Sequence, residues 1–318
     1  MNENEGCAAV WFCEKILLSN RAFRPSYWHL SFETPEMKYA TNRLLLSLLT
    51  LFCCWTSCQG QKAAPFQGLN YDLNHPEVIE LSDAVHDISG IAYYAPHHSV
   101  FAIDDDHGQV YEIPLRQNPR IASWPIGKPQ DFEDIVLDGN TLYVLSSKGH
   151  VAYMPLKFPV KEVRYARLDL KGKNDFETLF KDPVANRLLM ICKSCKEDSK
   201  HRTSVFALDL NSKTFQPAPV ATLHVKDVNA HLKSGSIENL KPSAAAVHPQ
   251  SGEIYMLASA NKLLLILDRS LKPRAAYWLD ARIFKQPEGI AFLPNGDLLV
   301  SNEGGTKGRA NILIFKKK

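Results

Sequence analysis

The sequence predicts an all-β chain folded as a five-bladed β-propeller, with a six-bladed ring as the alternative. The first observation is a recurring phrase: an apolar residue or Pro, then Glu or Ser, then a small or polar residue, then an apolar run. Its five copies begin at residues 88, 132, 176, 242 and 287, and their second residues are 44, 44, 66 and 45 positions apart. Because a period in the forties built of short strands and turns is typical of propellers, each copy predicts one blade.

The second observation is that turns and apolar strands alternate behind each phrase. The strand predicted at 88–93 is followed by a turn with Pro, by a strand at 100–103 and by another at 110–113. Gly108 lies in the second turn, where glycine adopts a positive φ without strain. The same order returns around the turn sequences PQSG and PNGD of the last two copies. Three or four antiparallel strands per copy correspond to one propeller blade.

The 66-residue interval leaves two interpretations open. It contains either one blade with an insertion of roughly 20 residues, within the polar segment 213–239, or a degenerate sixth blade. Residues 226–234 are the best candidate for a short helix. The strand predicted at 78–81 would complete the last blade beside residues 312–315. Such a closure would join the two ends of the domain and remove free sheet edges.

The front of the chain has the pattern of an export signal. Lys38 and Arg43 precede an apolar run at 44–55, which is short for a membrane span and suits a signal-peptide core. Small residues before Cys58 resemble the lipobox of bacterial lipoproteins, although Trp55 departs from the usual aliphatic residue. In that class the signal is removed before the cysteine, and the cysteine is lipidated.

This pattern predicts four segments. Residues 1–36 are an over-extended start, 37–57 a lipoprotein signal peptide, 58–70 a tether and 71–318 the propeller domain. A cytoplasmic tail before a signal anchor is the alternative for the first segment. Lipidation of Cys58 would hold the domain at a membrane, with the outer membrane and its periplasmic side as the expected location.

Cysteine usage and charge narrow the function classes. From Cys58 onward the chain has only two further cysteines, Cys192 and Cys195. In an oxidising compartment this pair could form a disulfide, while an inert pair and a functional pair stay open as alternatives. The net charge is +3, and no basic run is interleaved with aromatic residues, which argues against nucleic-acid binding. No HExxH, GxSxG, GxGxxG or Walker sequence occurs.

The ordered set of phrases resembles the SdiA-regulated, or YjiK-like, family. The segments that carry the resemblance are ISGIAY from residue 88, DFEDI from 131, DFETL from 175, LLLILD from 263 and PEGIA from 287. The resemblance runs from about residue 78 to residue 315, nearly all of the predicted domain. It implies a five-bladed propeller distantly related to NHL-repeat propellers, with a calcium site and frequent export and anchoring. It implies no particular reaction.

The second residue of each phrase is the candidate site. Each phrase begins the innermost strand of a blade, so Glu133, Glu177 and Glu288 should converge at one channel mouth, with Ser89 and Ser243 at the other two positions. Converging carboxylates repel each other, and Ca²⁺ relieves this because it favours six to eight oxygen ligands. The sequence thus predicts a Ca²⁺ site. Capping of strand ends, or pairing with Lys and Arg, is the alternative role of these Glu residues.

Three functions follow from these observations. The leading hypothesis is a monomeric, lipid-anchored propeller that binds an envelope protein, a glycan or a small ligand on one face. The second is a calcium-dependent hydrolase of the lactonase or arylesterase kind, in which the metal polarises a carbonyl or activates water. Against the hydrolase, no central histidine base is evident in the sequence. The third is a purely structural role in the cell envelope.

Overall fold

A computed structural model describes residues 68–104, 107–128, 130–305 and 308–318, and every structural statement below concerns these residues. They lie within the compact unit Ala64–Lys318. Five antiparallel sheets of four strands each form a five-bladed β-propeller. The predicted fold class is therefore confirmed. The expectations for residues 1–57 and for Cys58 lie outside the described residues.

The twenty strands follow one simple order along the chain. Strand β1 (Glu77–Glu80) comes first and belongs to the fifth blade. The first blade consists of β2 (Ile88–Tyr94), β3 (Ser99–Asp104), β4 (Gln109–Pro114) and β5 (Ala122–Pro125). The second blade consists of β6 (Phe132–Asp138), β7 (Thr141–Ser146), β8 (His150–Pro155) and β9 (Arg164–Arg167).

The remaining three blades repeat this arrangement. The third consists of β10 (Asn174–Lys181), β11 (Arg187–Cys195), β12 (Arg202–Asp209) and β13 (Ala221–His224). The fourth consists of β14 (Ala244–Val247), β15 (Ile254–Ala258), β16 (Leu263–Leu267) and β17 (Pro273–Trp278). The fifth consists of β18 (Pro287–Phe292), β19 (Leu298–Asn302), β20 (Asn311–Phe315) and β1.

The ring is closed by strands from both ends of the domain. Strand β1 pairs antiparallel with β20, with Val78 opposite Leu313 and Ile79 opposite Ile312. The predicted closure is confirmed, and it covers the edge of β20, whose five residues are all buried. Strands β2, β6, β10, β14 and β18 are the innermost and contact one another in sequence around the axis. We call the side on which these inner strands begin the upper face.

Burial is distributed over five apolar clusters, one at each junction between neighbouring blades. A middle strand such as β16 is packed on both faces, so all five of its residues are apolar and buried. An outermost strand such as β17 is half-exposed, and its one buried residue is Ala276. The strong apolar runs of the sequence are therefore the middle strands of blades.

The 66-residue interval contains one blade with an insertion, and the six-bladed alternative is wrong. After β13 comes helix α1 (Val225–Asn229), which begins one residue before the predicted segment 226–234 and is shorter than it. The Asn229 amide donates to the Ile237 carbonyl at 3.0 Å and accepts from the Ile237 amide at 2.9 Å. Ile237 and Leu240 are buried in the cluster between the third and fourth blades.

Helical structure is minor in the described chain. Besides α1 there are 3₁₀ turns at Asp83–Val85 and Ala95–His97. Within these residues no helix has the length and hydrophobicity needed to cross a membrane.

Candidate metal and ligand site at the channel mouth

A β-bulge lies at the start of four of the inner strands. Strand pairing skips Glu133 in β6, Glu177 in β10 and Glu288 in β18, and it skips Ser89 with Gly90 in β2. A bulge leaves its extra residue out of the hydrogen-bonded ladder and changes the direction of the side chain. The second residue of the recurring phrase is therefore the one that the bulge releases from the strand.

Three carboxylates meet at the mouth of the channel on the upper face. One oxygen each of Glu133, Asp175 and Glu177 lies within 4.8 Å of the other two, and we call these residues the acidic cluster. The structure thus brings together two of the three predicted Glu residues and adds Asp175, which precedes the third phrase. Glu288 lies outside this group, although its negative charge raises the pKa of Glu133.

Lys193 brings a positive charge to the acidic cluster. Its ammonium group forms an ion pair with the carboxylate of Glu177. Lys193 lies in β11 between Cys192 and Cys195, which are joined by a disulfide bond. These sulfur atoms also lie close to a carboxylate oxygen of Asp198, but sulfurs bonded to each other are not the thiolates that bind metals. One ammonium offsets only one of the three carboxylates of the cluster.

Glu133 has a raised pKa at this site. Burial raises the pKa of Glu133 to about 8, the carboxylates of Asp131, Asp175 and Glu288 add to the increase, and Lys193 opposes it. Burial disfavours the charged form of a carboxyl group, and neighbouring negative charges disfavour it further. Glu133 is therefore a carboxyl group that gains from any additional cation at the mouth.

Ser243 and Ser89, at the other two phrase positions, each take part in a hydrogen bond to a neighbouring blade. The hydroxyl of Ser243, just before β14, donates to the Pro287 carbonyl at 2.9 Å and accepts from the Ser259 amide at 3.2 Å. The carbonyl of Ser89 accepts from the Ser301 hydroxyl at 3.0 Å. The first and third of these bonds join neighbouring blades, through the side chain of Ser243 and through the backbone of Ser89.

Asp134 is a buried carboxylate in the wall below the mouth. It accepts the amide of Ile135 at 2.8 Å and, from the next blade, the amide of Leu179 at 2.7 Å. Burial raises its pKa well above the ordinary value, and these two amide bonds oppose the increase. The lower channel is a cavity of about 280 Å³ lined mainly by residues with apolar side chains, and Asp134 is the one acidic residue among them. Its hydrogen bonds indicate a structural role between the second and third blades.

A cleft of about 600 Å³ opens beside the acidic cluster, between the second and third blades. Asp175 belongs to both the cluster and the wall of the cleft. Asp131 lines the cleft with φ near +58°, and the Ser147 side chain donates to its carboxylate. The cleft has the volume of a small-molecule site, and polar groups converge on it.

Sequence reasoning missed three residues of this region. Asp175 and Lys193 complete the cluster, and His150 lines the cleft. Burial lowers the pKa of His150 and the charge of Arg167 lowers it further, which favours the neutral imidazole. A signal for Asp175 was present, because an Asp precedes both DFE copies of the phrase. Lys193 and His150 lie on the second and third strands of their blades, where no repeated pattern marks them.

The donor set of the cluster fits a calcium ion. Calcium binds six to eight oxygens at 2.3–2.6 Å, so two ligands on opposite sides of the ion lie about 5 Å apart. The oxygens of Glu133, Asp175 and Glu177 satisfy this spacing, and three carboxylates can supply up to about six oxygens when each is bidentate. Lys193 would have to withdraw from Glu177, which its flexible side chain, 31% exposed, permits.

The fold and this mouth define a five-bladed propeller with an acidic cluster at one end of its channel. A family model described as SdiA-regulated matches residues 66–305. The chain therefore belongs to the SdiA-regulated family, as the resemblance of its phrases predicted. A search of curated proteins finds no match.

Solved structures share the fold at low sequence identity. A putative gluconolactonase has a TM-score of 0.52 and 12% identity, over 80% of this chain and 97% of that chain. Glutaminyl cyclase of Myxococcus xanthus has a TM-score of 0.51 and 15% identity, over 76% and 95%. Regucalcin of Agrobacterium tumefaciens, a calcium-binding protein, has a TM-score of 0.47 and 13% identity, over 79% and 95%. At these identities the likeness concerns the fold alone.

Proposed function

We propose that this protein is a calcium-assisted binding module that takes a small ligand, a glycan or a segment of an envelope protein at its upper face. One observation carries the proposal: the acidic cluster opens through Asp175 into the 600 Å³ cleft. A cation held by the cluster would face a ligand in the cleft and could bind its oxygens. The ion would supply the positive charge for the ligand and relieve the repulsion around Glu133.

Calcium binding is tested by titration of a chain that starts at residue 62 and is first treated with chelator. We expect saturable binding that Asp175→Asn and Glu177→Gln each weaken at least about tenfold, since each removes a charged ligand. The Lys193→Met variant should bind calcium more tightly, because calcium then no longer competes with an ammonium group for Glu177. Asp169→Asn is the matched control, since it removes a charge from the cleft but not from the cluster. Equal affinity in all four variants would contradict the proposed site.

A second candidate function is calcium-dependent hydrolysis, favoured by the position of His150 in the cleft. A neutral imidazole can accept a proton, and Glu133 has a pKa of about 8, near the working range of a general acid or base. A panel of lactones, esters, oligosaccharides and peptides separates the two functions. Binding without turnover supports the module. Turnover that His150→Gln and Glu133→Gln both abolish supports the hydrolase and contradicts the leading proposal.

The proposed location is the cell envelope, with the domain held by lipid on Cys58 and facing the periplasm. The proposal rests on the signal pattern at 37–57 and on the cysteine that follows it. Growth with labelled palmitate in a bacterial host should label the full-length protein. We expect Cys58→Ala to abolish the label and Cys54→Ala, a cysteine within the same signal, to retain it. Label that survives Cys58→Ala would show that this cysteine is not the anchor.

A further inference from the structure

A second polar pocket lies on the upper face, between the third and fourth blades, and has a volume of about 230 Å³. One wall is formed by the end of β11, the loop that follows it and the start of β12, and the other wall by the segment that leads into β14. Four cationic side chains line it, and we call it the basic pocket. They are Lys193, Lys200, Arg202 and Lys241.

The one carboxylate that lines the basic pocket is already engaged. Asp198 accepts the Ser204 amide at 2.9 Å with one oxygen and the Ser204 hydroxyl at 2.6 Å with the other. Its side chain is 8% exposed, and the Arg202 guanidinium is 4.0 Å away. Asp198 therefore orders the loop after β11 and balances no more than the charge of Arg202. Lys193 is paired with Glu177 of the acidic cluster, so Lys200 and Lys241 are the two lining cations without an ion-pair partner among the described residues.

Backbone carbonyl groups position two of these cations. The ammonium of Lys241 donates to the carbonyl of Lys193 at 3.1 Å, and the guanidinium of Arg202 donates to the carbonyl of Glu197 at 2.6 Å. A carbonyl oxygen fixes the direction of a cation but carries no net charge. The positive charges of the basic pocket thus converge without an equal number of negative charges, which is unfavourable unless an anion binds.

The geometry points to a site for a phosphate group: we propose that the basic pocket binds the phosphate monoester of a ligand. Arg and Lys are the usual side chains for this group, with Arg presenting a planar fork and Lys a mobile point charge. A tetrahedral dianion offers acceptors in several directions to donors from both walls of the pocket, whereas a carboxylate offers one charge in a plane. The inference goes beyond the proposed function, since it stands whether or not calcium binds at the channel mouth.

The test is calorimetric titration with inorganic phosphate and with glycerol phosphate, in the presence of chelator and at constant ionic strength. The pocket variant is Lys200→Met with Lys241→Met. The control is Lys226→Met with Lys272→Met, which removes the same charge from exposed positions outside the pocket. We expect saturable binding of both anions, weakened at least about tenfold in the pocket variant and unchanged in the control. Acetate at the same ionic strength should not compete.

Two results would overturn the proposal. One is the lack of saturable phosphate binding up to about 10 mM, and the other is equal weakening in the pocket variant and the control, which would indicate general electrostatic attraction. Both variants change exposed or half-exposed lysines, so their midpoints of thermal unfolding should match that of the parent, which would exclude misfolding as the cause.

A further comparison separates a soluble phosphate ester from a lipid headgroup. The probes are vesicles of phosphatidylcholine with and without phosphatidic acid. Binding of glycerol phosphate without binding of vesicles supports a soluble ligand. Vesicle binding that needs phosphatidic acid and is displaced by glycerol phosphate supports a lipid headgroup in the same pocket. Vesicle binding that glycerol phosphate does not displace would contradict the pocket as the phosphate site.

Discussion

Replacement of Glu133 by Gln is expected to stabilise the calcium-free protein at pH 7.5 and to reduce the stabilisation that calcium confers. In the folded protein the pKa of this carboxyl group is about 8, raised by burial and by three neighbouring carboxylates. The negative charge of Glu133 therefore destabilises the calcium-free protein and contributes to binding when calcium is present. Gln keeps the size of the side chain and removes the charge, so the two effects have opposite signs.

The pH dependence follows from the direction of this shift. Because the folded-state pKa lies above the unfolded value of about 4.5, the folded protein holds the proton more tightly, and stability falls as pH rises from about 4.5 to 8. One pKa unit corresponds to about 1.4 kcal/mol. Partial exposure and screening by solvent reduce the effect below the value that the whole pKa shift would give. We therefore expect Glu133→Gln to raise the free energy of unfolding by about 2 kcal/mol at pH 7.5 and by almost nothing at pH 4.5.

Urea unfolding at several pH values, with chelator and with calcium, measures both effects. At about 1,000-fold saturation a ligand specific for the folded state adds roughly 4 kcal/mol to the free energy of unfolding. We expect the parent to gain most of this amount and Glu133→Gln to gain much less. Glu80→Gln, on the exposed edge of β1, is the control for the loss of one negative charge. A Glu133→Gln variant less stable than the parent in chelator, with an unchanged calcium effect, would contradict the interpretation.

The blades could be predicted because each depends on a local pattern that recurs. Middle strands such as β16 are packed on both faces and appear as unbroken apolar runs, and turns with Gly or Pro separate them. The closure of β1 on β20 could be predicted because a ring has to cover its last edge. The sequence does not decide between five and six blades because the insertion after β13 has no strong period, and Ile237 and Leu240 become buried only by packing against the third and fourth blades.

The site could be predicted only in part, because the repeat does not show which blades are close enough to share a site. The repeat identifies Glu133 and Glu177 because both occupy the bulged position of an inner strand. Their strands β6 and β10 are neighbours, and Asp175 lies two residues before Glu177 in β10, whereas β18 lies beside β2 and β14. Asp175 therefore completes the cluster, while Glu288 lies outside it. Lys193 reaches the mouth from the neighbouring strand β11, which lies outside the repeated phrases and so carries no repeat signal.

Gly90→Ala is expected to be strongly destabilising, because this glycine of the inner ring has no room for a methyl group. A Cβ atom at Gly90 would lie 2.1 Å from an Asp134 carboxylate oxygen, 2.6 Å from the Asp134 Cα and 2.9 Å from the Ile135 nitrogen. Two of these three atoms belong to the backbone of the next blade, so no side-chain rotation makes room. Moving the strand would also strain the hydrogen bonds that the Ile135 and Leu179 amides donate to the Asp134 carboxylate.

We expect Gly90→Ala to lower the free energy of unfolding by about 3 kcal/mol or more, since overpacking and loss of buried hydrogen bonds act together. Gly139→Ala is the matched control: no atom lies within 4 Å of a Cβ there, but φ is near +58°, which costs an L-residue about 1 kcal/mol. Urea unfolding of both variants separates the crowding of neighbouring blades from backbone strain. If Gly139→Ala were the more damaging change, the close approach of β2 and β6 would not be what requires glycine in the first phrase.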